Sequence, residues 1–151
     1  MSIAIFAAGC FWGIEKKFDL TKGVTKVEVG YTGGVTKNPT YEEVCYEDTG
    51  HAEAVRINFD ENIIPYKDLL NVFWSCHNPT TLNRQGPDIG EQYRSAIFYL
   101  NDKQKIEAEE SKKIMNKTMF NNQIVTEITK FDEFYLAEEY HQKYLKKLGK
   151  Y

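Results

Sequence analysis

Apolar and polar positions divide the first part of the chain into short strands and one helix. Residues 3–8 form a continuous apolar run, which predicts a buried strand covered on both faces. Apolar residues three and four positions apart then predict a helix over residues 11–20. Three valines predict a second strand over residues 24–30, and the paired glycines at 33 and 34 predict that a loop follows.

The remaining chain continues the alternation of strands and helices. Residues 40–43 have the spacing of a helix capping box, so a short helical turn is expected there. Residues 78–91 are polar and contain proline and glycine, which predicts a long loop of the kind that usually carries function. The other patterns predict a strand over 55–59, a helix over 65–76, a strand over 95–100, a helix over 102–119, a strand over 125–129 and a closing helix over 137–148.

This alternation predicts an α+β fold in which helices cover one sheet. We expect a two-layer α/β sandwich with a ferredoxin-like mixed sheet, because some strands are apolar on one side only. A doubly wound parallel sheet is the alternative. The 151 residues fit one domain, 1–151, and a domain of this size buries about two-thirds of its unfolded surface without disulfides.

Composition and charge exclude several functions. The formal net charge of −3 argues against nucleic-acid binding, which needs clustered Lys and Arg. The chain has no apolar stretch that could span a membrane and no standard secretory signal. Its odd number of cysteines, without a disulfide framework, predicts a cytoplasmic protein in a reducing compartment. The three cysteines and three histidines lack the spacings of a disulfide framework or a zinc site, so no metal is expected.

Cys10 is the first candidate for chemistry because it stands where the first strand gives way to the helix. The thiolate is the nucleophilic form of cysteine, and the first turn of a helix stabilises it through unpaired N–H groups. Such a position can lower a cysteine pKa from ~8.5 to roughly 3.5–7.5. Two aromatic residues, Phe11 and Trp12, follow at once and would give the nucleophile an apolar pocket. The alternative is that Cys10 packs as a small hydrophobic residue.

Other polar residues lie at predicted strand ends, where binding sites are usually assembled. Tyr31 follows the second strand, Glu53 precedes or begins the third, Asp88 lies in the long loop and Tyr93 precedes the strand at residue 95. Taken singly, each has an ordinary structural explanation: a tyrosine in the core, a surface ion pair or a turn cap. These residue types alone therefore leave the function open.

Five sequence blocks resemble the methionine sulfoxide reductase A family, whose members reduce the S epimer of methionine sulfoxide. The first is Gly-Cys-Phe-Trp-Gly at residues 9–13, and the blocks continue in the family's order almost to the end of the chain. One block could arise by chance, whereas five in order are specific. The other four lie at residues 30–34, at residues 41–45 with 49–55, at residues 84–95 and at residues 139–145.

The resemblance implies a role for each matching residue. Cys10 is the implied nucleophile that attacks the sulfoxide sulfur, giving methionine and a cysteine sulfenic acid. Glu53 is the implied acid that protonates the oxygen, and such a carboxyl needs a pKa raised by burial. The other implied site residues are Tyr31 and Tyr93 for the oxygen, Asp88 for the polar side through water, Phe11 and Trp12 for the methyl group, and His141 and Tyr144 at the border of the pocket.

The chain departs from many family members near its end. Those members carry a resolving cysteine in a glycine-rich C-terminal tail, whereas here no cysteine follows Cys76. We therefore expect a one-cysteine enzyme, a monomer without a cofactor, whose sulfenic acid is reduced by thioredoxin, glutaredoxin or a small thiol.

Free and protein-bound methionine sulfoxide are the expected substrates. Two alternatives stay open, namely a non-catalytic binder of methionine or its sulfoxide and a general thiol peroxidase. Glu53 argues against the binder, which would need no proton donor. Phe11 and Trp12 argue against the peroxidase, whose substrate needs no methyl pocket.

Overall fold

The computed structural model describes residues 2–151, which form a mixed six-stranded sheet with helices packed against it. The strands are β1 (Ser2–Ala8), β2 (Val24–Thr32), β3 (Ala52–Phe59), β4 (Arg84–Gln85), β5 (Asp88–Ile89), β6 (Ser95–Tyr99), β7 (Glu127–Lys130) and β8 (Phe134–Leu136). The helices are α1 (Phe11–Asp19), α2 (Tyr41–Tyr46), α3 (Tyr66–Ser75), α4 (Asp102–Thr118) and α5 (Tyr144–Lys147), with 3₁₀ turns at Glu91–Tyr93 and Glu139–His141.

The strand order in the six-stranded sheet is β7-β6-β1-β3-β2-β8, and β4 pairs with β5 in a separate ribbon. Neighbouring strands of the large sheet are antiparallel except β6 and β7, which are parallel and joined by the crossover helix α4. The predicted mixed sheet with helices packed on it is confirmed. The antiparallel pairs exclude the doubly wound parallel sheet, while the two-layer and ferredoxin-like labels stay predictions.

The core lies mainly between the sheet and helices α1 and α3. Phe6 of β1, Phe18 of α1 and Phe73 of α3 are fully buried, and the Phe6 ring centre lies 5.6 Å from that of Phe18 and 5.1 Å from that of Phe73. The opposite face of β1 presents Ile5 and Ala7 to a smaller apolar cluster. Both faces of β1 are therefore covered, which explains its continuous apolar run.

Strand β2 continues two residues beyond its predicted end at Gly30. Tyr31 and Thr32 stay in the sheet because they pair with β3 on one side and with β8 on the other. Glycine within a strand often marks a close backbone approach, and a Cβ at Gly30 would collide with the backbone of Tyr135 in the neighbouring strand β8. Gly30 therefore admits a neighbouring strand and does not end its own.

The predicted closing helix over residues 137–148 is wrong. The chain instead forms a 3₁₀ turn and the short helix α5, separated by Lys143 in the left-handed region with a φ of +55°. Gln142 bonds to the backbone of Val29, and the Lys143 N–H donates to the buried Glu15 carboxyl at 2.9 Å. These hydrogen bonds to β2 and α1 outweigh the helical spacing of the segment.

Two local predictions agree with the structure. Helix α2 begins with a capping box, in which Thr40 Oγ1 accepts the Glu43 N–H at 3.1 Å and Glu43 Oε1 accepts the Thr40 N–H at 3.0 Å. Residues 78–91 are mostly irregular and hold the short strands β4 and β5. Within residues 2–151, no helix is long and apolar enough to cross a membrane.

Candidate active site

The strand termini at one end of the sheet carry most of the predicted site residues. β1 ends two residues before Cys10, β6 begins two residues after Tyr93, and these strands pair antiparallel. Tyr31 near the end of β2 pairs with Glu53 near the start of β3. The antiparallel strand order thus gathers residues from distant parts of the chain at the start of α1.

Cys10 is the N-cap residue of α1 and is half-buried. The Cys10 side chain makes no capping hydrogen bond, but the nearby N–H groups of Trp12 and Gly13 favour the thiolate, as expected for a helix start. Burial outweighs them and, with the charges of Glu53 and Asp88, raises the Cys10 pKa to about 11. The predicted low pKa is therefore wrong for the substrate-free protein, in which Cys10 is a neutral thiol at pH 7.

The Glu53 side chain reaches from β3 to the start of α1 and is only 1% exposed. Its Oε1 accepts the Phe11 N–H at 3.2 Å, whereas its Oε2 is one of three buried side-chain polar atoms in residues 2–151 without a hydrogen-bond partner. Burial raises the Glu53 pKa to about 8 against the effect of the Phe11 N–H, and the Asp88 charge adds to the rise. Most Glu53 carboxyls are therefore protonated at pH 7.

Aromatic rings build the apolar side of the pocket. The Trp12 indole stacks on Tyr144 with ring centres 4.0 Å apart, and its Nε1 donates to Nδ1 of His141 at 3.1 Å. The Phe11 ring centre lies 5.3 Å from that of His141 and 6.3 Å from that of Tyr41. The four aromatic side chains singled out for this wall lie together, with Tyr41 beside them.

The structure assigns different surroundings to Tyr31 and Tyr41. The Tyr31 hydroxyl, predicted to bind the sulfoxide oxygen, is buried and donates to Oε1 of Glu138 at 2.9 Å, so its proton is already engaged. Sequence reasoning missed Tyr41, whose hydroxyl pKa is raised by burial, by the Cys45 thiol and by the Glu53 charge. Tyr41 therefore lies near the acid. Its place in the resembling block 41–45 was the available signal.

Tyr93 and Asp88 complete the polar side of the site. Tyr93 ends the first 3₁₀ turn, and its hydroxyl pKa is raised by burial and then by the charges of Glu53, Cys45, Asp88 and Cys10. Asp88 in β5 is half-buried, and its charge raises the pKa values of both Cys10 and Glu53. Because such interactions weaken with distance, these mutual effects indicate that the thiol, the two carboxyls and the phenol lie close together.

A separate cleft of about 790 Å³ contains neither Cys10 nor Glu53. Its walls include His51, whose ring nitrogens hydrogen-bond to the backbone of Gly34 and Thr36 and so hold a loop. The volume of a cavity therefore does not mark the candidate reactive centre of this protein.

Within residues 2–151, no cluster of three or more His, Cys, Asp or Glu could hold a metal ion.

The arrangement defines a class of protein, a thiol oxidoreductase with a protonated carboxyl beside its cysteine. The neutral Cys10 thiol, the neutral Glu53 acid and the hydroxyls of Tyr41 and Tyr93 form a polar side, and aromatic rings form the other. Such a pocket suits a small apolar group whose oxygen needs a proton before the thiol can react with the atom that carries it.

Comparison with known proteins identifies the family within this class. The family model described as peptide methionine sulfoxide reductase matches residues 2–151. A peptide methionine sulfoxide reductase MsrA of Methanosarcina acetivorans is 59% identical over 147 residues, which are 97% of this chain and 78% of that protein. A peptide methionine sulfoxide reductase of Solanum lycopersicum is 54% identical over 149 residues, which are 99% of this chain and 76% of that protein.

Solved structures give the same answer. Reduced Mxr1 of Saccharomyces cerevisiae superimposes with a TM-score of 0.93 at 35% identity, covering 99% of this chain and 87% of that one. Methionine sulfoxide reductase A of Corynebacterium diphtheriae superimposes with a TM-score of 0.91 at 36% identity, covering 96% and 74%. The chain therefore belongs to the peptide methionine sulfoxide reductase family, type A, and has the activity of that family.

Proposed function

We propose that the enzyme reduces the S epimer of methionine sulfoxide, free or in proteins, with Cys10 as nucleophile and Glu53 as acid. One observation carries the proposal: the Glu53 carboxyl is buried, mostly neutral at pH 7 and, among the described residues, unpaired at Oε2. A protein that only bound methionine sulfoxide would not need this acid, and leaving a polar atom buried and unpaired costs free energy.

Reduction in this scheme moves one oxygen atom from methionine sulfoxide to Cys10. Glu53 gives its proton to the sulfoxide oxygen, which makes the substrate sulfur electrophilic, and the Cys10 sulfur attacks it. The thiol proton passes to the Glu53 carboxylate, so the acid is restored in the same turnover. The S–S bond formed by this attack then breaks as the hydroxyl moves from the substrate sulfur to the Cys10 sulfur, so the substrate S–O bond is lost and an S–O bond on Cys10 replaces it. The substrate sulfur gains the two electrons that the Cys10 sulfur loses, giving methionine and a sulfenic acid.

Tyr41 and Tyr93 are proposed to hold the sulfoxide oxygen, with Asp88 organising the polar side through water. Both phenol hydroxyls respond to the charge of Glu53, which supports their nearness to the proton donor. Tyr31 is assigned a supporting role instead, because its hydroxyl is committed to Glu138.

Phe11 and Trp12 are proposed to hold the methyl group of the substrate. His141 and Tyr144 fix the Trp12 ring by a hydrogen bond and by stacking. Burying one methyl group contributes about 0.8 kcal/mol, and a sulfur–aromatic contact adds roughly 0.3–1.5 kcal/mol. Because each contribution is small, epimer selectivity requires the methyl group and the oxygen to fit opposite walls at once.

An outside thiol is proposed to reduce the Cys10 sulfenic acid, which makes this a one-cysteine enzyme. Cys76 donates its thiol proton to the Phe73 carbonyl at 3.2 Å, and burial raises its pKa to about 12. Burial also raises the pKa of Cys45, which lies beside Tyr41. Both thiols are therefore weak candidates for internal attack. Thioredoxin is the proposed donor, by analogy with yeast Mxr1, which has been solved in complex with Trx2.

Mass spectrometry after one turnover without reductant tests this proposal. The protein is mixed with a peptide carrying either epimer of methionine sulfoxide and is then trapped with dimedone. We expect a dimedone adduct on Cys10 with the S epimer and none with the R epimer. Cys10→Ser should abolish methionine formation, whereas Cys45→Ser and Cys76→Ser should retain it. A disulfide between Cys10 and Cys45 or Cys76 would contradict the one-cysteine cycle.

A further inference from the structure

Gln85 touches three segments around the reactive cysteine although it lies outside the proposed catalytic set. It is half-buried at the end of β4, the first strand of the two-stranded ribbon. Its stem lies against Gly9, its amide binds the backbone of Asn78, and its ribbon partner is Asp88. A single side chain thus meets the cysteine loop, the segment after α3 and the hairpin that carries Asp88.

The Gln85 side chain lies so close to Gly9 that a residue with a Cβ would not fit at position 9. A Cβ built on Gly9 would lie 2.8 Å from Gln85 Cγ and 2.9 Å from Gln85 Cβ. Gly9 also has a φ of +99°, a conformation that glycine adopts without strain. The Gln85 stem therefore packs directly on the backbone that leads into Cys10.

The Gln85 amide binds Asn78 at two points. Its Oε1 accepts the Asn78 N–H at 2.9 Å, and its Nε2 donates to the Asn78 carbonyl at 2.8 Å. The preceding residue, His77, donates from Nδ1 to the Phe73 carbonyl at 2.8 Å and accepts the Ser95 hydroxyl proton at Nε2 at 2.7 Å. Asn78 therefore follows a residue anchored to α3 and β6, which gives Gln85 a firm attachment.

The hairpin that carries Asp88 has little to hold it by itself. Each of its strands is two residues long, and Arg84, Gly86, Pro87 and Ile89 are all exposed. An isolated two-stranded hairpin is at best marginally stable in water. Hydrogen bonds from Thr81 to the Arg84 carbonyl and from the Gly90 N–H to the Asn83 carbonyl close the hairpin on itself, whereas Gln85 ties it to the backbones of Gly9 and Asn78.

We propose that Gln85 is a positioning residue, which fixes the Asp88 hairpin against the Gly9–Cys10 backbone and so sets the place of the Asp88 charge beside Cys10 and Glu53. This inference rests on the proposed function for the meaning of that charge, because Asp88 acts on the two reacting groups. A positioning role differs from a purely structural one in a measurable way. It requires the pKa of Cys10 and the rate of the reaction to change when the Gln85 amide is removed.

Gln85→Met provides the test, because methionine retains an unbranched stem of similar length and loses both amide hydrogen bonds. Two properties are measured: the pH midpoint of Cys10 alkylation in a background without Cys45 and Cys76, and kcat separately from KM. We expect the alkylation midpoint to fall toward that of Asp88→Asn, because the negative charge is no longer held near the thiol. We also expect kcat to fall tenfold to a hundredfold, as misplacement by about 1 Å can do.

The double variant Gln85→Met with Asp88→Asn separates action through Asp88 from a general effect. If Gln85 works through Asp88, Gln85→Met should add little once Asp88 is neutral. Gln123→Ala, at an exposed glutamine, is the matched control and should match the wild type in both measurements. A lowered Tm with an unchanged alkylation midpoint and kcat would overturn the proposal. The alkylation measurement is independent of turnover, so a failure of the proposed function would show separately as absent sulfoxide reduction in the wild type.

Discussion

Replacing Glu53 with glutamine retains the shape of the side chain and removes its transferable proton. The amide oxygen can still accept the Phe11 N–H, which the carboxyl accepts at 3.2 Å, so the start of α1 should keep its position. The side chain is 1% exposed, and water therefore has little access to replace the lost acid. The substitution consequently tests proton donation more than packing.

The protonated fraction of Glu53 sets the expected size of the rate loss. With a pKa of about 8 in place of the ordinary 4.5, roughly nine in ten Glu53 carboxyls are protonated at pH 7, against about three in a thousand otherwise. Burial thus makes about 300 times more acid available, and a positioned general acid contributes typically about 10²–10⁴-fold in rate. We expect Glu53→Gln to slow sulfoxide reduction by a factor in this range while changing substrate affinity only slightly.

A single-turnover assay with enzyme in excess measures the chemical step directly, with the methionine product quantified after acid quenching. The wild-type rate should fall as pH rises through about 8, because Glu53 then loses the proton that it must donate. Glu53→Gln should be slow and should lack this fall. Glu28→Gln, which alters a carboxylate paired with Arg56 on the sheet, is the control and should resemble the wild type. A Glu53→Gln rate within threefold of the wild type would refute the acid role.

Three further predictions follow from the same site and its supports. Tyr41→Phe should lower kcat by about 10²-fold, whereas Tyr31→Phe should mainly lower Tm, because the Tyr31 hydroxyl binds Glu138; kinetics and thermal unfolding of both variants check this. Thr40→Ala should cost about 0.5–2 kcal/mol of unfolding free energy in urea by removing the cap of α2. Alkylation of Cys10 without substrate should have a midpoint near pH 11, and a midpoint below pH 8 would contradict the structure.

Sequence periodicity predicts elements whose burial follows from local pattern. Strand β1 is recognisable because both of its faces are covered, and α2 because its capping box is a local hydrogen-bond pattern. Local periodicity gives the wrong prediction for the C-terminal segment. Its helical spacing is real, but the Lys143 N–H binds Glu15, 128 residues away in the sequence, and this bond holds a different path. Partners so distant leave no trace in a local pattern.

The candidate site shows the same division. The matched blocks single out Cys10 and Glu53 as candidates by residue type, because a thiol and a carboxyl are the groups that the proposed reaction needs. The two tyrosines near the acid, Tyr31 and Tyr41, both lie in matched blocks, so residue type could not separate them. What separates them is that Tyr31 binds Glu138, 107 residues away, and this contact is visible only in the folded chain.

The high pKa of Cys10 changes what the start of α1 contributes. At pH 7 a thiol with a pKa of about 11 is ionised in only about one molecule in 10⁴, so the resting enzyme holds almost no thiolate for a stray oxidant to attack. The N–H groups of Trp12 and Gly13 therefore stabilise the negative charge that develops on sulfur as its proton leaves. Interactions that strengthen only at this stage accelerate the reaction without activating the resting thiol. In the proposed scheme, the reactivity of Cys10 thus depends on a ligand that accepts the Glu53 proton, and a sulfoxide held against Phe11 meets that condition.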